Sequence, residues 1–151
     1  MALKINSQAP DFTLPSTGGK SISLGKELAD KPVVIYFYPK DFTPGCTKEA
    51  CSFRDSYEHF RGLDIDIFGI SKDDVASHEK FKETHNLPFD LLADVDGKVC
   101  KAYDALVPLI GIPKRVTYLL DKEHKVVGVY SSMFDSLGHI KSMIADSKEK
   151  I

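Results

Sequence analysis

Apolar positions along the chain alternate between short continuous runs and longer amphipathic stretches. Pro32-Val33-Val34-Ile35-Tyr36-Phe37-Tyr38-Pro39 is apolar or aromatic throughout, β-branched at its start and bounded by prolines. That pattern predicts a strand buried on both faces. Ile65 to Ile70 predicts a second strand and Phe89 to Ala93 a third. Arg115 to Leu120 and Lys125 to Ser131 flank a charged turn around Asp121 to His124, which predicts an antiparallel hairpin. Between the runs, Cys46 to Phe60 places Ala50, Phe53, Tyr57 and Phe60 on one helical face. Ser71 to His85 follows as a helix, with Asp73 and Asp74 favouring its start and Asn86-Leu87-Pro88 ending it. A short helix is predicted over Gly97 to Tyr103. The last helix runs from about Asp135 to Lys148, with Leu137, Ile140 and Ile144 facing inward.

Strand, helix, strand, helix, strand, helix, hairpin, helix is an α/β order with a mixed central sheet flanked by helices. Phe12-Thr13-Leu14 and Ser21-Ile22-Ser23-Leu24, joined through Gly18-Gly19, predict a further N-terminal hairpin. A length of 151 residues, 42% hydrophobic and 28% charged, suits one domain over residues 1–151. A formal charge of −2, without a basic run, argues against nucleic acid or an anionic membrane as partner. Residues 1–7 hold no apolar stretch of signal-peptide length, and no window approaches the roughly 18 apolar residues of a membrane span. The expected location is therefore cytoplasmic. Three cysteines are too few for a disulfide scaffold, so a close pair in a reducing compartment points to redox or metal chemistry.

That pair lies where the first long strand feeds the first helix, the usual place for a site in such sheets. The junction reads Pro39-Lys40-Asp41-Phe42-Thr43-Pro44-Gly45-Cys46-Thr47-Lys48-Glu49-Ala50-Cys51. Thr43 suits an N-cap and Pro44 the first helical position. Cys46 then falls in the first turn, where free N–H groups and the helix dipole favour a thiolate and depress its pKa. Ionising a thiol of pKa about 8.5 fully at neutral pH gains roughly 30-fold, about 2 kcal/mol. A fast thiol enzyme needs more, supplied by donors aimed at developing charge. The candidates are local backbone amides, the Thr43 hydroxyl and a cation from elsewhere in the chain.

Cys51 lies five residues on, which in an ideal helix separates the Cα atoms by about 8.6 Å. A disulfide needs about 7 Å or less, so these thiols can pair only if the helix unwinds. Spacing leaves Cys51 open as redox partner or bystander. It also leaves open a metal module using both cysteines and a histidine, and a scaffold with unreactive thiols. A Cys-x-x-Cys reductase motif is not present.

At these residues the sequence resembles the peroxiredoxins. Pro39-x-x-x-Thr43-x-x-Cys46 matches their active-site motif, and Thr43-Pro44-Gly45-Cys46-Thr47-x-Glu49-Ala50-Cys51 resembles the bacterioferritin-comigratory, or peroxiredoxin Q, subfamily. The likeness extends to Ala9-Pro10-Asp11-Phe12-Thr13-Leu14 and to Arg115-Val116-Thr117-Tyr118-Leu119-Leu120-Asp121. It implies a thioredoxin-like fold with an N-terminal β-hairpin extension, and a thiol peroxidase acting on hydrogen peroxide or alkyl hydroperoxides. Cys46 would be peroxidatic and Cys51 resolving, through an intramolecular disulfide. Thr43 would orient the peroxide, Pro44 would shield it, and Arg115 would be the missing cation. Read without the resemblance, Arg115 is a solvated strand residue. Glu49 is also a subfamily position, suited to holding the first helical turn. Neither metal nor organic cofactor is implied. A thioredoxin or glutaredoxin-like dithiol would be the reductant, and a monomer the favoured state, with a dimer open.

Four features stand outside that assignment. Cys100 reads as a semi-buried packing thiol, with a second resolving or a regulatory thiol as the alternative. Leu106-Val107-Pro108-Leu109-Ile110-Gly111-Ile112-Pro113 is apolar for a loop and could cover the core or form an exposed patch. His78 and His85, seven apart on one helical face, read as solvated surface. Lys148-Glu149-Lys150 reads as a frayed end.

Overall fold

The computed structural model describes residues 2–151. Its strands are β1 (Thr13–Ser16), β2 (Lys20–Ser23), β3 (Val33–Phe37), β4 (Asp66–Ser71), β5 (Asp90–Ala93), β6 (Val116–Leu120) and β7 (Val126–Ser131). The helices are α1 (Pro44–Asp55), α2 (Tyr57–Gly62), α3 (Val75–His85), α4 (Lys98–Ala102) and α5 (Ser136–Lys150). The strands form one mixed sheet in the order β2-β1-β5-β4-β3-β6-β7. β3 runs parallel to β4 and β4 to β5, while β6 pairs antiparallel with β3 and with β7. The N-terminal hairpin β1–β2 joins the far edge through β5. Its turn requires φ of +84° at Gly18 and +70° at Gly19, which glycine adopts without a Cβ penalty.

The unbroken apolar run of β3 is explained by the two cores it serves. Val33, Ile35 and Phe37 pack with Phe12, Ile70, Tyr118 and Leu120 on one face. Val34, Tyr36 and Tyr38 pack with Phe53, Phe81, Ile140 and Met143 on the other. A strand feeding both layers has no polar alternation because neither face meets water. The mixed sheet, the flanking helices and the extra hairpin are those anticipated from the sequence pattern.

Several boundaries differ for local reasons. The helix expected over 46–60 starts two residues earlier and breaks at Ser56, where φ −103° and ψ 8° close α1 and open α2. Phe60 stays buried across the break, so the apolar period alone does not reveal it. Ser71 belongs to β4, and α3 starts after Asp74, whose side chain accepts from Ser77 N at 2.8 Å. Asp135 caps α5 by accepting from Gly138 N at 3.0 Å. Leu137, expected inward, is exposed, whereas Ile140 and Met143 are buried. Residues 148–150 are helical rather than frayed, and Lys150 Nζ donates to the Val127 carbonyl. Among the described residues, no helix is long and apolar enough to cross a membrane.

Candidate active site

α1 opens as the sequence predicts, with Thr43 extended at the N-cap and Pro44 in the first turn. The Thr43 hydroxyl does not cap the helix, however. It donates to the Lys40 carbonyl at 2.8 Å, so it gives no hydrogen to Cys46. Cys46 is buried on the side of α1 that faces the sheet.

Sheet register delivers the cation. Phe37 at the end of β3 pairs with Val116 at the start of β6, so Arg115 emerges beside the chain that leads into α1. Arg115 is buried rather than solvated, and its guanidinium is held on three sides. Nη2 donates to Cys46 Sγ at 3.3 Å, Nη1 to Glu49 Oε1 at 2.9 Å and Nε to the Met133 carbonyl at 3.1 Å. Gly45 makes room for it, because a Cβ there would sit 3.0 Å from Nη2. Burial opposes the guanidinium charge, but Glu49 and Cys46 beside it hold its pKa above the ordinary value.

Glu49 is fully buried, not a surface glutamate. Burial pushes its carboxyl up to about 8 even with Arg115 drawing it down. The 2.9 Å contact with Arg115 is the interaction that favours its charged form against burial. Glu49 Oε2 has no hydrogen-bond partner, and His139 Nδ1 lies 3.5 Å away. Burial lowers the pKa of His139. Its Nε2 donates to the Ser132 carbonyl at 2.9 Å, and its Nδ1 accepts from Thr117 Oγ1 at 2.8 Å.

A raised Glu49 pKa has a thermodynamic consequence. Between its ordinary 4.5 and about 8, the folded chain keeps a proton that the unfolded chain has released. The group's contribution is full below about pH 4.5 and is lost as pH rises through about 8. Glu49→Gln keeps a neutral acceptor for Arg115 and cannot ionise. Its unfolding free energy relative to wild type, from urea titrations under reducing conditions, should rise between about pH 5 and about pH 8.5. A flat difference would mean that Glu49 titrates normally.

Cys51 is half-buried, one and a half turns along the same unbroken helix, and all three cysteines are free thiols. Cys100 is fully buried, and burial raises its pKa, with Asp94 adding to the shift, which makes it a packing thiol. Among the described residues, the one cluster able to hold a metal is Asp41, Asp73 and His78, which includes neither Cys46 nor Cys51. His78 is buried, contrary to the solvated position expected, while His85 is half-buried. The apolar loop divides between the two expectations: Leu106 packs against the core and Pro113 is buried, whereas Leu109, Ile110 and Ile112 are exposed.

A thiol at a helix N-terminus, under a buried guanidinium, on a mixed sheet with an N-terminal hairpin defines a class of redox protein. The chain belongs to the AhpC/TSA family, whose model matches residues 5–129. Its relatives include the chloroplastic peroxiredoxin Q of Oryza sativa subsp. japonica, 49% identical over 135 residues. That match covers 89% of this chain, but the chain spans only 62% of the rice protein's length. Among solved structures, peroxidoxin BcpB from Mycobacterium tuberculosis superposes with a TM-score of 0.92 at 37% identity, covering 99% of each chain. The bacterioferritin comigratory protein of Xanthomonas campestris, described in a study of its alkyl peroxide reduction, gives 0.85 at 32% identity over 98% of each chain. The thioredoxin-like peroxiredoxin fold follows from these superpositions.

Proposed function

We propose that the chain is a thiol-dependent peroxidase that reduces hydrogen peroxide and organic hydroperoxides through Cys46, as an antioxidant. The observation that carries this reading is the 3.3 Å contact from buried Arg115 Nη2 to Cys46 Sγ in the first turn of α1. A fixed guanidinium and the helix N-terminus stabilise negative charge on the attacking sulfur, and the same charge stabilises the oxygen anion that departs.

The Cys46 thiolate attacks the distal oxygen of the peroxide and the O–O bond breaks. The sulfur becomes sulfenic acid, and the leaving oxygen takes a proton to depart as water or alcohol. The Thr43 hydroxyl gives its own hydrogen to Lys40, so its oxygen is available to accept one from the peroxide. Pro44 shields the reacting atoms. α1 then unwinds between residues 46 and 51. The Cys51 sulfur displaces hydroxide from the sulfenic acid, which leaves with the thiol proton as water. Thioredoxin or a similar dithiol restores both thiols by exchange. The proposed working unit is a monomer, one domain over residues 1–151. A reductant-rich cytoplasm is the proposed setting.

Mass spectrometry after one equivalent of hydrogen peroxide tests the cycle. The reduced chain should lose about 2 Da as the disulfide forms, and Cys51→Ser should instead gain about 16 Da as sulfenic acid. A chain that stays unchanged would be a scaffold rather than an enzyme.

A further inference from the structure

We propose that Asp41 and His78 form a buried carboxylate–imidazolium clamp that positions the Pro39–Thr43 loop, and through it Cys46, for oxidation. The kinetic part of this proposal rests on the peroxidase reading; the clamp itself rests on geometry.

The loop needs an anchor. Phe42 sits at φ +66°, a left-handed conformation that a bulky side chain rarely adopts without support. Asp41, immediately before it, is tied at four points. Its backbone N–H donates to Asp73 Oδ2 at 2.9 Å. Its Oδ1 accepts from the Tyr38 hydroxyl at 2.6 Å, and its Oδ2 from Ser77 Oγ at 2.8 Å. The same Oδ2 lies 2.7 Å from His78 Nδ1. Phe42 then packs edge-on against Phe81, so α3 is the platform for the whole loop.

The partners of His78 dictate its protons. Nε2 faces the Leu92 backbone carbonyl at 3.0 Å, and a carbonyl can only accept. Nδ1 faces a carboxylate that already accepts from two hydroxyls. With Asp41 as a carboxylate, both ring nitrogens donate, and the fully buried ring is then an imidazolium. Two carboxyls face it, Asp41 from the loop and Asp73 from the β4–α3 connection, together with the neutral phenol of Tyr38 just after β3. The facing atoms of Asp41, Asp73 and His78 lie within 4.8 Å of one another, as metal ligands do. Each side chain already has hydrogen-bond partners, however, so nothing at the cluster calls for a cation.

The link to Cys46 is short. Thr43 Oγ1 bonds back to the Lys40 carbonyl, and the Thr43 carbonyl accepts from Thr47 N at 2.9 Å in the first turn of α1. Arg115 is anchored outside α1 by the Met133 carbonyl, while its bond to Glu49 ties it to the same helix as Cys46. A shift at Asp41 moves the start of α1 against the Met133 anchor of the guanidinium and so disturbs the Cys46–Arg115 geometry, and displacements near 1 Å can cost a reaction on the order of 100-fold. His78 touches no reacting atom and acts as a positioning residue.

The test has two readouts. In the reduced wild-type chain with 15N-labelled histidine, long-range proton–nitrogen spectra at neutral pH should show both His78 ring nitrogens protonated. One bare nitrogen would overturn the clamp, and this holds whether or not any variant folds. In His78→Gln and Asp41→Asn, the bimolecular rate of Cys46 oxidation by hydrogen peroxide should fall about 10-fold or more. Thioredoxin reduction of their preformed disulfide should change by less than about twofold. Wild-type oxidation rates in the folded variants, or equal losses in both steps, would overturn the positioning role. A wild-type Cys46 inert to peroxide would instead sink the peroxidase reading and the positioning claim, leaving the spectrum to report on the clamp alone.

Discussion

Cys46→Ser is expected to consume no peroxide above the buffer rate while remaining folded. Serine places a hydroxyl where the thiol was, and this oxygen can still accept the hydrogen that Arg115 Nη2 gives to Sγ. The surrounding apolar residues, Ala50, Phe53 and Tyr36 among them, keep their places, so the stability cost should be about 1 kcal/mol. Chemistry suffers far more than stability. A serine hydroxyl is negligibly ionised at neutral pH, and oxygen lacks the soft sulfur nucleophile that attacks a peroxide bond. The variant also contains its own control, because Cys51 and Cys100 remain. Cys100 cannot substitute, being fully buried with its thiol pushed towards the neutral form. Cys51 has no equivalent of the Arg115 contact, since that guanidinium is committed to Cys46, Glu49 and Met133. Peroxide loss followed by a colorimetric assay, with circular dichroism on the same sample, checks both halves. Turnover by the folded Cys46→Ser protein would remove the basis for placing the chemistry at this residue.

The contrast among the three cysteines shows what a linear sequence can carry. The helix start at Cys46 is written locally, since the cap, the proline and the glycine all lie within three residues of the thiol. The two-sided burial of β3 is equally local, because a short run without polar alternation leaves no face suited to water. Arg115, by contrast, lies 69 positions from Cys46 and reaches it only because β6 pairs antiparallel with β3, placing Val116 opposite Phe37. Periodicity identifies both strands but does not choose their neighbours, so an isolated arginine at a strand edge reads as solvent-facing. Glu49 and His139 have the same difficulty: each becomes buried only when α5 packs beside α1 and β6. His78 sits among Ser77, Glu79 and Lys80, a polar run typical of a surface face, yet its ring turns inward between β3 and β5. His139 had a usable signal, since it directly precedes the inward-facing Ile140. The break at Ser56 had none, because an apolar period that continues through a kink looks like an uninterrupted helix.

Replacing Arg115 tests whether the site depends on a charge or on a shape. Arg115→Met removes the guanidinium while filling much of its volume, and should slow the first oxidation of Cys46 by about 100- to 1,000-fold. That corresponds to roughly 3–4 kcal/mol of transition-state stabilisation. Arg115→Lys keeps the charge but not the fork. A single ammonium cannot reach Cys46 Sγ, Glu49 Oε1 and the Met133 carbonyl together, as Nη2, Nη1 and Nε do. Its rate should therefore fall between wild type and Arg115→Met. Loss of the arginine also leaves Glu49 Oε1 without a donor beside an already orphaned Oε2. With its one favourable neighbour gone, the Glu49 carboxyl should be held still more firmly as the neutral acid. The kinetic loss should then change little when Glu49→Gln is added to Arg115→Met, whereas a site that needed an ionised Glu49 would show strong coupling in the double-mutant cycle. Stopped-flow oxidation of the five proteins, Glu49→Gln among them, at neutral pH decides the matter. If Arg115→Lys matched wild type, positive charge alone would suffice and the three-point geometry would have no catalytic meaning.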